Sequence, residues 1–176
     1  MRVIGGEFRS RRLKSVQGLE TRPTPDRLRE ALFNVLAPRI EGNVFLDAYA
    51  GTGAVGIEAL SRGARRAIFV EKNRGAVEVI RENLAALGLE NRAEVFTSKV
   101  GPVLERVRAD ILFLDPPYDS PKEYELAMAA IEKSESPLAI VQHSSSAALP
   151  EAFGRLHRYR VLRQGDNSLS FYERAI

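Results

Sequence analysis

Short apolar segments alternate with amphipathic ones along most of the chain. From Asn43 onward, five segments have the length and residue types of buried strands: NVFLDAY, AIFVE, AEVFTS, DILFLD and PLAIVQHS. Three segments between them predict helices, AVGIEALSRG, GAVEVIRENLAALG and KEYELAMAAIEK, and the first two end in glycine. Short helices are also expected around residues 102–107 and after residue 144. This alternation predicts a doubly wound α/β domain built on a parallel sheet.

The two ends of the chain follow other patterns. RVIGG and RRLKS are predicted to pair as a hairpin, and TRPTPDRLREALFNVLA is predicted to be a helix with Thr24 as its N-cap. LHRYRVLRQ and SLSFYER, separated by the turn residues GDN, predict an antiparallel pair. We therefore expect a basic N-terminal extension, residues 1–40, attached to one structural unit, residues 41–176.

Positive charge is concentrated in this extension. The whole chain has a net charge of +3, yet residues 1–39 contain nine of its 26 basic residues and only four of its 23 acidic ones. A basic extension on a nearly neutral domain favours a polyanionic partner such as nucleic acid. The alternative is an ordinary solvated surface, and charge alone does not decide between the two.

The amino-acid composition excludes several kinds of site. The chain has no cysteine, which excludes disulfides and thiolate metal sites, and its only histidines are His143 and His157. No metal is therefore expected. The chain shows neither a secretory signal nor an apolar run of about 20 residues. We expect a cytoplasmic protein with no membrane contact, and a monomer.

A glycine-rich loop follows the first predicted strand. The stretch AGTGAVG places glycines at positions 51, 53 and 56, in the G-x-G-x-x-G spacing that lets the backbone approach a nucleotide. Glu71 ends the second strand, where its carboxylate can bind the ribose hydroxyls of either NAD or S-adenosylmethionine (SAM). Asp47, at the exit of the first strand, suits the amino group of a methionine moiety and would repel a pyrophosphate. The loop with Asp47 therefore favours SAM.

The sequence DPPY, residues 115–118, follows the fourth predicted strand. The Asp115 carboxylate and the Pro116 carbonyl can accept hydrogen bonds from an exocyclic amine and orient it for methyl transfer. Pro117 stiffens the turn, and Tyr118 provides a ring on which a base can stack. A base inside a duplex cannot reach such a pocket, so the target is expected to be flipped out or unpaired.

Several longer segments of the chain, together with these motifs, are similar to those of a known protein family. The chain resembles the bacterial 16S rRNA guanine-N2 methyltransferases of the RsmD type, which are class I SAM-dependent methyltransferases. The resemblance rests on MRVIGGEFRSRRL, TRPTPDRLREALFNVL, FLDAYAGTGAVGIEALSRGA and GDNSLSFYE, and it extends from Met1 to about Glu173. It implies a Rossmann-like, doubly wound, seven-stranded sheet with an antiparallel last strand, preceded by a basic hairpin and helix.

The resemblance also implies a reaction and its participants. SAM would be the methyl donor, S-adenosylhomocysteine the product, and the acceptor a 16S rRNA guanine in a partly assembled small ribosomal subunit, of the guanine(966) type. The implied catalytic turn is Asp115, Pro116, Pro117 and Tyr118. The implied cofactor contacts are Asp47, Ala48, Tyr49, Gly51, Thr52, Gly53, Glu71, Lys72, Asn73, Ser98, Lys99 and Asp115. The implied RNA contacts are Arg2, Arg9, Arg11, Arg12, Lys14 and Arg22, of which Arg22 alternatively reaches the active site.

The chain departs from this class at two positions. Thr97-Ser98-Lys99 follows the third strand, where an acidic residue or asparagine usually contacts the adenine, so the residue that reads the adenine stays open. Gln142-His143 replaces a more usual Glu-His pair in the fifth strand. We assign neither residue a role, and expect His143 and His157 at core or rim positions.

Three other functions remain open at this point. The same chemistry on adenine N6 of DNA or RNA, or on a protein glutamine, would use the same DPPY turn, although the basic extension argues against glutamine. A non-catalytic RNA-binding module with a residual SAM pocket is a further alternative, and the intact turn argues against it. A dehydrogenase fits least, because it has no evident use for DPPY.

Overall fold

A computed structural model of the chain describes residues 1–17 and 24–175, which fold around a single mixed sheet. Its eight strands are β1 (Val44–Ala48), β2 (Arg66–Glu71), β3 (Ala93–Thr97), β4 (Ile111–Leu114), β5 (Leu138–Ser144), β6 (Ala152–Phe153), β7 (Leu156–Gln164) and β8 (Asn167–Arg174). The helices are α1 (Asp26–Ile40), α2 (Ala54–Ser61), α3 (Arg74–Ala86), α4 (Val100–Leu104) and α5 (Pro121–Lys133). The strand order is β3-β2-β1-β4-β5-β8-β7-β6.

The first five strands are parallel and are covered by helices on both faces, as their near-continuous apolar sequences require. Successive residues of β1 point to opposite faces. Phe45 packs in a buried cluster with α1, and Leu46 packs in a second cluster with α4 and α5. β8 runs antiparallel to both β5 and β7. The predicted doubly wound, Rossmann-like fold with a terminal hairpin is confirmed.

Three local predictions are wrong: the number of strands, the brief helix after residue 144 and the Thr24 cap. The sheet has eight strands rather than seven, because the two-residue strand β6 pairs with β7 where a brief helix was expected after residue 144. Thr24 does not cap α1, since its hydroxyl donates to Gln142 Oε1 (3.2 Å) and Pro25 occupies the N-cap. The predicted pairing of RVIGG with RRLKS is present, as a short antiparallel pair: Arg2 lies opposite Arg12, and the N–H groups of Val3 and Leu13 donate to the carbonyls of Arg11 (2.9 Å) and Met1 (2.8 Å).

The N-terminal arm, defined here as residues 1–17, is folded back onto α2 and α3. Val3 and Leu13 are buried in an apolar cluster that includes residues from both helices. The backbone N–H groups of Ile4 and Gly5 donate to the two carboxylate oxygens of Glu58 in α2, at 2.8 and 2.9 Å. Arg29 of α1 is fully buried beside Glu58 (3.6 Å). Burial of these apolar and charged groups attaches the arm firmly to the domain.

Candidate active site

A cavity of about 1080 Å³ opens at the carboxyl ends of the parallel strands. In an open α/β sheet, the loops that leave these strand ends converge at one edge, where ligands bind. The glycine loop after β1, Glu71 at the end of β2 and the DPPY turn after β4 all line this cavity. Elements that are separate in sequence therefore face a common space.

The glycine loop has a backbone that side chains would disturb. Gly51 and Gly53 adopt left-handed φ angles of +57° and +82°, which residues with a Cβ rarely adopt. A Cβ at Gly56 would lie 2.3 Å from Phe69 Cε1, so this glycine allows α2 to pack closely on β2. Tyr49 also has a positive φ of 61°, and its hydroxyl donates to Glu123 Oε2 (3.2 Å). A left-handed non-glycine residue at a strand exit is typical of a functional loop.

Two carboxylates hold this loop in place. Glu71 accepts the backbone N–H of Gly51 (2.9 Å) through one oxygen and that of Asn73 (3.0 Å) through the other. Asp47 is buried, and it accepts the backbone N–H of Gly56 (2.9 Å). Burial, followed by repulsion from Asp115 and Glu71, raises the pKa of Asp47, whereas the Gly56 hydrogen bond opposes that shift. A cation in the cavity would favour the ionised forms of Asp47 and Asp115.

Asp115, the first residue of the DPPY turn, faces the same cavity. Loss of solvent raises the pKa of its carboxyl to about 7. Within residues 1–17 and 24–175, no group donates a hydrogen bond to this carboxyl. Both of its oxygens are therefore available to a ligand. Pro116 is buried, while Pro117 is exposed and accepts the N–H of Ser120 (3.2 Å), which closes the turn.

The ring of Tyr118 is held by a chain of hydrogen bonds that crosses the cavity wall. Its hydroxyl donates to Asn167 Oδ1 (2.7 Å), at the start of β8, and lies 3.5 Å from Gln142 Nε2. Gln142 in turn accepts from the Thr24 hydroxyl (3.2 Å). These contacts fix the orientation of the aromatic ring beside Asp115.

Most of the other predicted cofactor residues also line the cavity. Lys72, Ser98 and Lys99 do so, and the Ser98 hydroxyl donates to the Lys99 carbonyl (2.9 Å). Ala48, Gly53 and Asn73 do not line it. The Asn73 side chain instead caps α3 by accepting the N–H of Ala76 (3.0 Å).

The arm contributes to the site in a way that the sequence did not indicate. The predicted RNA contacts Arg2, Arg9, Arg11, Arg12 and Lys14 are exposed and do not line the cavity, and Arg22 lies outside the described residues. Met1, Ser15 and Val16, in contrast, form part of the cavity wall.

Buried Asn83 of α3 joins the arm to the glycine loop. Its side chain accepts the N–H of Lys14 (2.7 Å) and donates to the carbonyls of Lys14 and Thr52, both at 3.2 Å. The arm and the glycine loop are therefore both hydrogen-bonded to the same buried side-chain amide.

Sequence reasoning missed Asn83, Asn167 and the role of Gln142. The unusual Gln142-His143 pair was the only signal, and only its first member faces the cavity. His143 is buried and bonded to Ser170 Oγ (2.8 Å), which agrees with a core position, whereas His157 is exposed on β7.

The described residues include no group of three or more His, Cys, Asp or Glu side chains arranged to hold a metal ion. Among the helices described, none is both long enough and apolar enough to cross a membrane.

A parallel sheet with an antiparallel strand inserted near its end, a glycine loop with acidic strand ends and a DPPY turn together define a Rossmann-like, class I methyltransferase. A family model described as "Conserved hypothetical protein 95" matches residues 1–173. The chain belongs to this family, which contains the RsmD-type methyltransferases.

Individual relatives agree with this assignment. The Bacillus subtilis (strain 168) protein named "Putative rRNA methyltransferase YlbH" is 35% identical over 182 residues, which cover 99% of each chain. "Ribosomal RNA small subunit methyltransferase D" of Escherichia coli (strain K12) is 40% identical over 119 residues, 67% of this chain and 60% of that protein. A solved structure described as "Putative methyltransferase yhhF from Escherichia coli" superposes with a TM-score of 0.87 at 34% identity, covering 99% of this chain and 97% of that one.

Proposed function

We propose that this protein transfers a methyl group from SAM to the exocyclic N2 of a guanine in 16S rRNA. One observation carries the proposal: the cavity has the glycine loop and Glu71 in one part of its wall and the Asp115–Tyr118 turn in another. The relatives named as rRNA methyltransferases support the class of substrate.

The charges of the cavity suit SAM better than a dinucleotide. Asp47, Glu71 and Asp115 all face the cavity, and two of them are buried enough to have raised pKa values. The positive sulfonium and ammonium groups of SAM would be attracted by these carboxylates, whereas the pyrophosphate of NAD would be repelled. Glu71 retains lone pairs for the ribose hydroxyls after accepting two backbone N–H groups.

Guanine fits the ionised form of Asp115 better than adenine does. A carboxylate only accepts hydrogen bonds, and guanine presents two neighbouring donors, N1–H and N2–H. Adenine presents its N6 donor beside the N1 acceptor, which would repel the second carboxylate oxygen. Because both oxygens of Asp115 are available, this matching favours guanine above pH 7.

The residues of the turn orient the amine and accept its proton. SAM supplies an electrophilic methyl group: the N2–methyl bond forms as the methyl–sulfur bond breaks, leaving neutral S-adenosylhomocysteine. Asp115 and the Pro116 carbonyl hold the amine hydrogens, and Asp115 accepts the proton that N2 loses. Tyr118, held by Asn167, supports the flipped base by stacking, a contact worth about 1–3 kcal/mol. Correct positioning of two reactants contributes on the order of 7–11 kcal/mol.

The exposed arm residues Arg2, Arg9, Arg11, Arg12 and Lys14 are proposed to bind rRNA phosphates. Such contacts provide affinity and register rather than base identity. Arg11 and Lys14 also contact α3, through the Ala86 carbonyl (3.3 Å) and Glu82 (2.9 Å), and exposed contacts of this kind are weak enough to exchange for phosphates.

Identification of the methylated nucleoside tests the proposal. Purified protein is incubated with radiolabelled SAM and small ribosomal subunits from cells that lack the modification, and the digested RNA is separated by chromatography. We expect label in N2-methylguanosine. Label in N6-methyladenosine would show that the methylated base is adenine and not guanine. Binding of SAM without any transfer of label would indicate a non-catalytic RNA-binding module.

A further inference from the structure

The outer edge of β7 carries a group of cations that neither the fold nor the cavity uses. The arginine strip, defined here as Arg155, Arg160 and Arg163, lies on or next to this strand, and all three residues are exposed. Between residues 152 and 165 the chain contains no acidic residue. Exposed Tyr159 and Val161 lie between the arginines, with 43% and 49% of their surfaces accessible.

Among the described residues, the strip has no counter-ion, in contrast to four basic side chains elsewhere on the surface. Lys14, Arg39, Arg66 and Arg108 each form an ion pair with a glutamate at 2.9–3.1 Å. The arginines of the strip form no ion pair with any residue of the ranges 1–17 and 24–175. Unpaired guanidinium groups are available to an anionic partner.

The strand that carries the strip is open on one side for most of its length. β8 pairs with β7 along one edge, but β6 covers only Leu156 and His157 on the other. Arg160 and Arg163 are three residues apart, so their side chains leave opposite faces of the sheet and flank the open edge. Arg155 and Arg163 are eight positions apart, a span of about 26 Å at about 3.3 Å per residue.

One end of the strip lies at the rim of the candidate active site. β7 ends one residue after Arg163, and the following turn leads into Asn167, which lines the cavity and binds Tyr118. The arm lies on the other side of the cavity, beside the loop that follows β1. Four strand spacings separate β1 from β7, about 19 Å at about 4.8 Å per spacing.

We propose that the arginine strip is a second rRNA-binding surface, which holds the phosphate backbone on the side of the cavity opposite the arm. This proposal rests on the proposed rRNA substrate. Phosphate contacts on both sides of the cavity would restrain the RNA strand that carries the flipped base and keep that base directed into the cavity. Arginine suits this role because its planar fork matches phosphate oxygens, and Tyr159 adds a surface for stacking on unpaired bases.

Charged side chains also occur on open edge strands because they prevent pairing between sheets. Salt dependence separates the two roles, since each phosphate contact contributes about 0.7 to the slope of log K against log salt for single strands, and about 0.9 for duplexes. The test compares Arg160→Gln/Arg163→Gln with Arg65→Gln/Arg106→Gln. Both control residues are exposed and lie near the amino ends of β2 and β4, away from the cavity.

Binding of the full-length protein to transcribed 16S rRNA is measured over a series of KCl concentrations, together with SAM affinity. We expect the strip variant to lose about 1.4–1.8 of the slope, and the control variant and the SAM affinity to stay unchanged. An unchanged slope in the strip variant would overturn the proposal. If the double variant aggregates, the single variant Arg163→Gln is measured in its place. We expect its slope of log K against log salt to fall by about 0.7–0.9, and an unchanged slope would overturn the proposal.

The nucleoside formed by the wild-type protein is identified in parallel. N2-methylguanosine with an unchanged slope would refute the arginine strip alone. A different nucleoside with a reduced slope would refute the guanine assignment and leave the strip as an RNA-binding surface.

Discussion

Replacing Asp115 by asparagine tests the central chemical role with little change in shape. In the structure no described residue donates to this carboxyl, so both oxygens are free to accept hydrogen bonds from the substrate. In the proposed complex, the Asp115→Asn variant keeps one acceptor oxygen and places an amide NH2 group against the amine hydrogens of guanine. The variant also lacks the carboxylate that we propose as the proton acceptor.

The expected loss follows from these two changes. A hydrogen bond to a charged group contributes about 1.5–3 kcal/mol, and an unsatisfied or opposed donor costs about 1–3 kcal/mol. Their sum, about 2.5–6 kcal/mol, corresponds to a rate loss of about 60-fold to about 2 × 10⁴-fold at about 1.4 kcal/mol per tenfold change. SAM affinity should stay within a few-fold of wild type, because Asp47 and Glu71 remain.

Single-turnover transfer from radiolabelled SAM to small ribosomal subunits measures the rate, and calorimetry measures SAM affinity. Asp119→Asn is the matched control, because Asp119 is exposed at the cavity rim of the same loop and has no proposed role. We expect the control to retain the wild-type rate. Full activity of Asp115→Asn, or an equal loss in both variants, would refute the assignment of Asp115.

Three further predictions concern pH, packing and the arm. Burial raises the pKa of Asp115 to about 7, so the carboxylate proposed to accept the proton is protonated below that pH, and kcat/KM should rise through about pH 7. A flat profile between about pH 5.5 and 8 would contradict this role. Gly56→Ala should lower the stability by about 1–3 kcal/mol, since its Cβ would meet Phe69, whereas Gly101→Ala, with open space around it, should not; thermal unfolding compares the two. Asn83→Ala removes the amide shared by the arm and the glycine loop and should weaken SAM binding at least tenfold; calorimetry that gives the wild-type Kd would show that the arm does not support the loop.

The raised pKa of Asp115 also makes the free energy of unfolding depend on pH. Between about pH 4 and pH 7 the folded protein holds a proton on this carboxyl that the unfolded chain has released, so stability falls as pH rises through this window. The penalty is complete above about pH 7, where the ionised carboxylate is desolvated and accepts no hydrogen bond from the described residues. This instability is the expected cost of keeping an acceptor available to the substrate.

Sequence patterns correctly predicted the elements whose conformation depends on interactions between residues close together in the chain. The apolar strands, the glycine turn and the GDN hairpin are each specified within a few residues, and the structure contains all of them. The two-residue strand β6 is too short to show a period, so it was missed.

Contacts between distant residues could not be predicted in the same way. Thr24 has the composition and position of an N-cap, but a hydrogen bond to Gln142, 118 residues away, outweighs that local preference. Asn83 resembles any polar residue of an amphipathic helix until the arm folds against it. The glycine loop and the DPPY turn could be recognised because each consists of a few consecutive residues.

A structure of the protein with SAM and guanosine bound would test the central claim most directly. We predict that the guanine N2 lies within about 3.2 Å of an Asp115 carboxylate oxygen and of the Pro116 carbonyl, with the sulfonium methyl directed at N2. A methyl group that points away from the DPPY turn, or a guanine bound outside this cavity, would contradict the account.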